Sequence, residues 1–519
     1  TRRTQRNGYE ASWAPISANE ANQLAQSGTL AGLEGLDPGM FLEFNPVLTG
    51  SRQGSLDSES GVFTHENPEA EFGFNLTYGL TSNLKLDGTY NPDFSQVEAD
   101  AGQIVVNERF AIHLPERRPF FLEGTEIFKL PQNLVYTRSI VNPIAGAKIT
   151  GKLGGFNIAY LGAMDEATSS DDNAHAYVSL VRARKDVGES STIGLAYTDR
   201  AESSSVYNRV ASADARFVLR RRYTLELQGA GSMDGALGLD AASGALLHSK
   251  FSRSGRAFSF DVSLDNTTPD FRARSGFIRR VGIAEAKVGA RYNVYGESGA
   301  LVERWGPRFD ITGLWDHDDF WGGESWKESR ASFTVSSSLR GNVTFWGTAS
   351  IKGFNYQPEA YEGLVTEGEG GEPVPFRPDQ EMFQGLMGFS GNLHVSTWER
   401  VRGSLRGGWS ETPIFDRATG PPVQTANQLT GNVDLTLSVS THLSGALGLR
   451  HESLYRKEGG ERYASATIPR VRAQYQFNKA LFLRTIVEYG AQESGKLVDP
   501  VTGQELFYCG DEACLLRDG

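Results

Sequence analysis

Val433-Asp434-Leu435-Thr436-Leu437-Ser438-Val439-Ser440 alternates apolar and polar side chains without a break. Successive side chains of an extended chain point to opposite faces. Val433, Leu435, Leu437 and Val439 therefore share one face, and Asp434, Thr436, Ser438 and Ser440 share the other. The same period recurs along the chain. Val343, Phe345, Gly347, Ala349 and Ile351 oppose Thr344, Trp346, Thr348, Ser350 and Lys352; Phe258, Phe260, Val262 and Leu264 alternate with Ser259, Asp261, Ser263 and Asp265; Tyr223, Leu225 and Leu227 alternate with Thr224, Glu226 and Gln228. Many of these segments run for about ten residues, the length a tilted strand needs to cross a bilayer. Strands of propellers and sandwiches cluster near five or six, which counts against a soluble β-sandwich, solenoid or propeller.

The connections carry the next step. Short turns at 81–83, 154, 220–222, 253–256, 340–342, 441 and 478–480 alternate with long polar loops at 49–69, 164–173, 233–243, 266–275, 316–325, 354–381, 412–425 and from 491 onward. Bacterial outer-membrane barrels have this asymmetry of periplasmic turns and extracellular loops. With Thr1 on the periplasmic side every long loop falls outside. The pattern predicts an all-β fold, a large antiparallel transmembrane β-barrel of about 21 strands. The twelfth strand is placed near 276, and 295–304 is an inner connection longer than the pattern favours. A lumen of this width is too large for wall side chains alone to fill.

Composition agrees. The 519 residues are 39% hydrophobic and 11% aromatic, with 59 glycines, as suits strands that are apolar toward lipid and polar toward a wet interior. No run of 18 uncharged apolar residues predicts a helical span. A net charge of −12 does not suit a nucleic-acid binder, which needs a basic footprint. The only cysteines, Cys509 and Cys514, are spaced for a local disulfide or stand as two free thiols; two thiols without a nearby histidine are half a zinc set, and no cofactor or metal is expected. Thr1 is not preceded by a signal peptide, so a mature or trimmed product is expected. Parity adds a second expectation. Such barrels have an even strand count, whereas strand 21 near Leu481–Gly490 leaves the chain outside, and 491–519 shows no alternating strand. C-terminal strands are therefore expected to be missing, with about 24 in all.

Two regions break the alternation: 1–39, a polar lead-in on the periplasmic side, and 92–145. Asn91-Pro92-Asp93-Phe94-Ser95-Gln96-Val97-Glu98-Ala99-Asp100, Pro115-Glu116-Arg117-Arg118-Pro119-Phe120-Phe121-Leu122-Glu123-Gly124 and Ile127-Phe128 resemble an uncharacterised outer-membrane barrel family of Gram-negative bacteria, domain of unknown function 5916. Ser12-Trp13-Ala14-Pro15-Ile16 and Gly28-Thr29-Leu30-Ala31-Gly32-Leu33-Glu34-Gly35 are similar to its lead-in. The resemblance is specific over residues 10–163. It implies an outer-membrane location and, because the family's barrel usually follows a domain similar to family 9 carbohydrate-binding modules, a link to glycans through an upstream domain. It supplies no catalytic residues.

A 54-residue connection far exceeds ordinary loops, which when so long are functional or disordered. Phe94, Val105, Val106, Phe110, Phe120, Phe121, Ile127 and Phe128 offer apolar surface to pack. We read 92–145 as a plug or lid folding into the barrel from the extracellular side, with an extracellular cap on the rim as the alternative. Its contacts are assigned to Asp93, Phe94, Gln96, Glu98, Asp100, Glu108, Arg109, Glu116, Arg117, Arg118, Phe120, Phe121 and Glu123. Arg117 and Arg118 would anchor on Glu116, Glu123 or the wall through two-bond forks, with Pro115 and Pro119 stiffening the corner.

Enzyme chemistry finds no GxSxG elbow, HExxH, P-loop or strand-bound GxGxxG. His113 near Glu116 leaves a membrane-embedded hydrolase as a remote reading, against a structural pair. Asp316, Asp318 and Asp319, or Asp171 and Asp172, have oxygen ligands for Ca²⁺, but acidic loops are more often simply solvated. Trp315, Phe320, Trp321, Trp326 and Trp346 read as an interfacial girdle, or as a sugar-stacking platform at the mouth. The sequence thus predicts a non-enzymatic pore or transporter component in contact with outer-membrane lipid, passing a saccharide or other oligomer. The alternative is a sealed scaffold that anchors a glycan-binding domain or partner protein.

Overall fold

The computed structural model describes residues 41–52, 54–56, 61–65, 67–92, 101–104, 106–166, 175–368, 372–378, 381–415, 422–479 and 481–509, with short stretches near the N-terminus and at 514–515. Most of the lead-in 1–39 lies outside the described residues. The strands of the ring are, in order, β1 Leu42–Ser51, β2 Glu69–Thr81, β3 Leu84–Tyr90, β4 Pro143–Leu153, β5 Phe156–Asp165, β6 Ala176–Val187 and β7 Ser191–Ala201. Next come β8 Tyr207–Leu219, β9 Tyr223–Gly235, β10 Ala242–Arg253, β11 Phe258–Thr267, β12 Ile283–Tyr292, β13 Val302–Asp316 and β14 Glu328–Leu339. The last third is β15 Val343–Asn355, β16 Met382–Val395, β17 Val401–Pro413, β18 Thr425–Ser438, β19 Leu443–Arg456, β20 Arg462–Gln476 and β21 Phe482–Glu488. Val294–Tyr295 prolongs β12 along β13, and Ala491–Ser494 prolongs β21 along β20.

Each strand pairs antiparallel with the next, and the ring order closes with β1 beside Ala491–Ser494, the extension of β21. Both strands of that seam are odd-numbered and so run parallel. Contact across it is sparse, and β21 is exposed along its whole length.

The register explains the alternation in the sequence. In β6, Ala176, Val178, Leu180 and Arg182 are buried, while Tyr177 and Val181 are exposed. Cross-strand partners share a face, so parity propagates from strand to strand: Arg182 faces Ala196, Thr198 faces Val210, and Ser212 faces Ala230. These side chains point inward. The opposite parity carries Leu195, Phe309 and Ile311, each more than 60% exposed, an apolar outer belt of the kind lipid covers. No helix among the described residues is long and apolar enough to cross a membrane.

Three sequence expectations need correction. The twelfth strand begins at Ile283 rather than near 276, because 268–282 folds inward as a loop. The tail is not strandless: Ala491–Ser494 extends β21, and Leu506–Cys509 joins Leu364–Glu367 of the long 355–382 loop in a small sheet. A four-residue strand is too short to show a period. The long inner connection at 295–304 is shorter than expected, since the β12–β13 ladder continues to Tyr295 and Arg304 and Val302 already pairs with Leu339 of β14.

Candidate functional site

The described part of the 92–145 connection enters from the long-loop side, because it leaves the end of β3 and returns at the start of β4, and it touches inward-facing side chains around the ring. Residues 101–104 and 106–107 reach the far wall. Gly102 N–H donates to Glu488 Oε1 at 2.9 Å, and Arg450 donates to Gly102 O at 3.1 Å. Asn107 donates its side-chain N–H to Pro413 O and accepts from Phe415 N–H, while Val106 packs with Leu454, Ala464 and Ala466. The segment then crosses to β14, where Arg109 and Arg280 both pair with Glu328, at 2.9 and 2.8 Å. Arg109 also lies 4.3 Å from the centre of the Phe415 ring.

On the near wall the segment is held by apolar packing. Phe121, Phe128 and Ile140 fit against Ala159, Leu161, Ala163, Val178 and Leu180, with Phe121 and Ile140 wholly buried. Burying an aromatic or branched side chain contributes roughly 1.5–3 kcal/mol. A single wall cation organises the turn below: Lys148, 1% exposed, donates to the Phe120 and Glu123 carbonyls at 2.5 and 2.6 Å. The exposed Glu123 carboxylate pairs with Lys85. Farther round, Gln132 bridges three strands. Its backbone N–H donates to Gln228, and its side-chain amide donates to Asp265 at 2.6 Å beside His248.

The two ends of this excursion are clamped together. Glu116 Oε1 accepts from the backbone N–H groups of Arg117 and Arg118 and from Arg118 Nε, each at 2.9 Å. Its Oε2 accepts from Arg118 Nη2 at 2.8 Å and from the Thr137 hydroxyl at 2.7 Å. Arg118 donates onward to the Ile140 and Thr137 carbonyls at 2.7 and 2.8 Å and lies 4.3 Å over the Phe121 ring. Burial pushes the Glu116 carboxyl up, but the hydrogen bonds from Arg118 and Thr137 outweigh it and hold the group at about 2.

The loop 268–282 descends beside the segment. Phe271 is wholly buried, and its backbone lies so close to Gly244 that a Cβ there would fall 2.3 Å away. Asn208 donates to Arg272 O and accepts from Arg274 N–H, and Tyr136 N–H donates to Ser275 O at 2.7 Å. The segment and the loop together line the inner side of β3–β14, and the segment reaches down to Lys85 beside the short turn that precedes β3.

Arg109, Glu116, Arg118, Phe120, Phe121 and Glu123 thus meet the wall or one another. Arg117 contributes its backbone N–H and is half-buried, and Glu108 is exposed. Asp93, Phe94, Gln96, Glu98 and Asp100 lie outside the described residues, as do Val105, Asp171 and Asp172. His113 does not pair with Glu116, whose oxygens are taken by Arg118 and Thr137; it packs 4.8 Å from Tyr136 and 5.0 Å from Phe277. Trp315, Phe320 and Trp321 cluster beside the long-loop end of β13. Trp346 departs from the girdle reading: it sits on the inward face beneath Arg406, 5.5 Å from the guanidinium. Asp316 pairs with Lys327 at 2.8 Å. Cys509 is disulfide-bonded, and its register partner is Cys514, the other cysteine of the chain.

Residues 38–152, which include the crossing segment, match a known family. It is described as Domain of unknown function (DUF5916). The match includes the motifs at 91–128 and leaves out Ser12–Ile16 and Gly28–Gly35. A comparison with curated proteins finds no match. Among solved structures, the crystal structure of the siderophore receptor PirA from Pseudomonas aeruginosa is similar at 10% identity and a TM-score of 0.34, covering 90% of this chain and 79% of that one.

The wall and loop partners Lys85, Lys148, Gln132, Thr137, Glu328 and Arg280 were not singled out in the sequence. The two lysines carried a signal: Lys148 is a cation set between Ala147 and Ile149, and Lys85 one set between Leu84 and Leu86, each within an alternating strand.

Proposed function

We propose that the chain is an outer-membrane pore or transporter component, and that residues 92–145 are its plug, gating passage of a saccharide or other oligomeric solute. One observation carries the reading: the contacts of residues 101–142 fall on inward-facing side chains of strands on every side of the ring, from Lys85 on β3 through Gln228 on β9 to Glu488 on β21. A cap resting on a rim would meet loops. Polar contacts on the inner face of the strands and charges of both signs suit a removable stopper in a wet lumen, because paired ions tolerate partial dehydration whereas lone ones are costly. The apolar outer belt and the turn-loop asymmetry support the outer-membrane location.

The test is planar-bilayer conductance of the full chain and of a variant with 95–128 replaced by a short Gly-Ser bridge. The full chain should give small or gated steps and the deletion large ohmic ones. Equal conductance and equal solute uptake in the two proteins would overturn the plug, and silence in both would favour a sealed scaffold.

A further inference from the structure

The chain as a whole is acidic, at −12, yet one part of its lumen is basic. Register places Arg402 and Arg406 on β17, Arg450 on β19, Arg470 and Arg472 on β20 and Arg484 on β21 on the inward-facing pleat. The same face of β17–β21 carries three carboxylates, Asp434, Glu452 and Glu488. Glu108 of the crossing segment comes close enough to Glu452 for their charges to interact and adds a fourth. The outward face of these strands is almost uncharged, so the excess is not a property of the strands in general.

The opposite wall is balanced. Arg182 pairs with Asp214, Arg216 with Glu226, Lys287 with Glu285, and Arg308 with both Asp261 and Asp310. The balanced side is also the side that the segment and the 268–282 loop cover. Among the described residues the segment touches β17–β21 through 102–104 and 106–107, and Arg402, Arg406 and Arg484 are exposed. Arg406 and Arg450 flank Asn432 and share with Ser404, Thr430 and the carboxylates Asp434 and Glu452 a cavity of about 400 Å³ beneath Gln103 and Ile104. A second cavity, about 480 Å³, lies toward the short-turn end and is lined by Arg402 together with Glu399 and His394.

We infer that this wall is a track for anionic solutes, oligomers bearing carboxylate, sulfate or phosphate groups; the inference rests on the pore reading and narrows its solute class. Guanidinium forks bind such groups in two bonds, and their charge does not titrate away. Several like charges lining one low-dielectric wall focus field and raise the local concentration of counter-charged solute. Side-chain charge in a channel lining sets ion preference by the same physics.

The test uses the full chain. Detergent-solubilised protein is titrated with tripolyphosphate and with uncharged maltotriose, and protein in planar bilayers is held under a KCl gradient. Tripolyphosphate should bind, weaken as salt rises, and lose about tenfold in affinity in the triple variant Arg402→Ser, Arg406→Ser, Arg472→Ser. The reversal potential should show chloride preference that the triple variant loses and the matching triple lysine variant keeps. An unshifted mobility of the folded barrel on unheated gels checks that both variants fold. Equal affinity for maltotriose, unchanged binding in the triple serine variant, or potassium preference in the full chain would overturn the inference. Binding without any current, even after removal of 95–128, would refute the pore and keep the basic track. Current that prefers potassium would do the reverse.

Discussion

Replacing Glu116 by Gln removes one charge at the clamp and keeps its shape. In the native protein the carboxylate accepts five hydrogen bonds, from two backbone N–H groups, the Arg118 Nε and Nη2 atoms and the Thr137 hydroxyl. These hold it at about 2, against an ordinary 4.5. At 1.36 kcal/mol per unit, that difference is about 3 kcal/mol of stabilisation for the ionised clamp, roughly a hundredfold in a local opening equilibrium. The side chain is only 11% exposed, so solvent screening takes little away. Because the folded value lies below the unfolded one, the stabilisation is complete above pH 4.5 and is lost as pH falls toward 2. Hydrogen exchange of the full chain reads this directly, since the clamp protects Phe121, Leu122 and Ile140 amides that lie outside the sheet. In Glu116→Gln at neutral pH, exchange across 117–141 should rise about a hundredfold while the strands stay as protected as before. In the native chain the same peptides, corrected for intrinsic rate, should loosen only below pH 4.5. Exchange in the variant within about threefold of native would show that the carboxylate is not holding the segment.

Lys148→Met should strip the Phe120 and Glu123 carbonyls of their shared donor, costing about 1–3 kcal/mol for each group left unsatisfied, and should be seen as faster proteolysis within 119–128. Phe121→Ala opens a cavity against Leu161 and Val178 and should destabilise the segment by about 3–5 kcal/mol, read as larger or noisier conductance with an unchanged barrel. Gly244→Val should push the 268–282 loop off the wall, and unaltered exchange at Phe271 would refute the close approach. Tags at 360–370 and 416–422 should be reachable from outside intact cells, whereas tags at 340–342 or 478–480 should not; labelling of the second pair would reverse the orientation.

Strand positions were legible because each wall residue obeys a local rule, and a period of two survives in the sequence whatever lies across the lumen. Val433, Leu435 and Leu437 needed no knowledge of their neighbours. The twelfth strand was placed too early: Phe277-Ile278 and Arg279-Arg280 stand as like pairs and break the alternation, and the chain there folds inward before β12 begins at Ile283. Arg118 and Glu116 were legible as a charged cluster, since they stand two residues apart. Thr137 was not, nor was the reach from Gly102 to Glu488, because no periodicity encodes which distant groups meet inside a ring. Trp346 was misplaced although the alternation already set it on the polar face with Thr344 and Thr348; an aromatic ring was read as a lipid anchor without regard to its parity, and its register with Ser336 and Asn392 confirms the inward side.

The crossing segment begins at the end of β3 and finishes at the start of β4, two strands that are hydrogen-bonded neighbours. It is therefore moored at both ends to a single point on the rim. A stopper with one free end can be drawn through a pipe; a loop moored twice at one place can only be lifted back out through the opening by which it entered. Motion must start at the part farthest from the mooring. Among the described residues that is 102–104 and 106–107, which hold the opposite wall through hydrogen bonds at Gly102 and Asn107 and the packing of Val106, whereas the moored side is fixed by buried aromatics and the Glu116 clamp. The grip is weakest beside the arginine-lined wall, so a gap there requires the least of the structure to move.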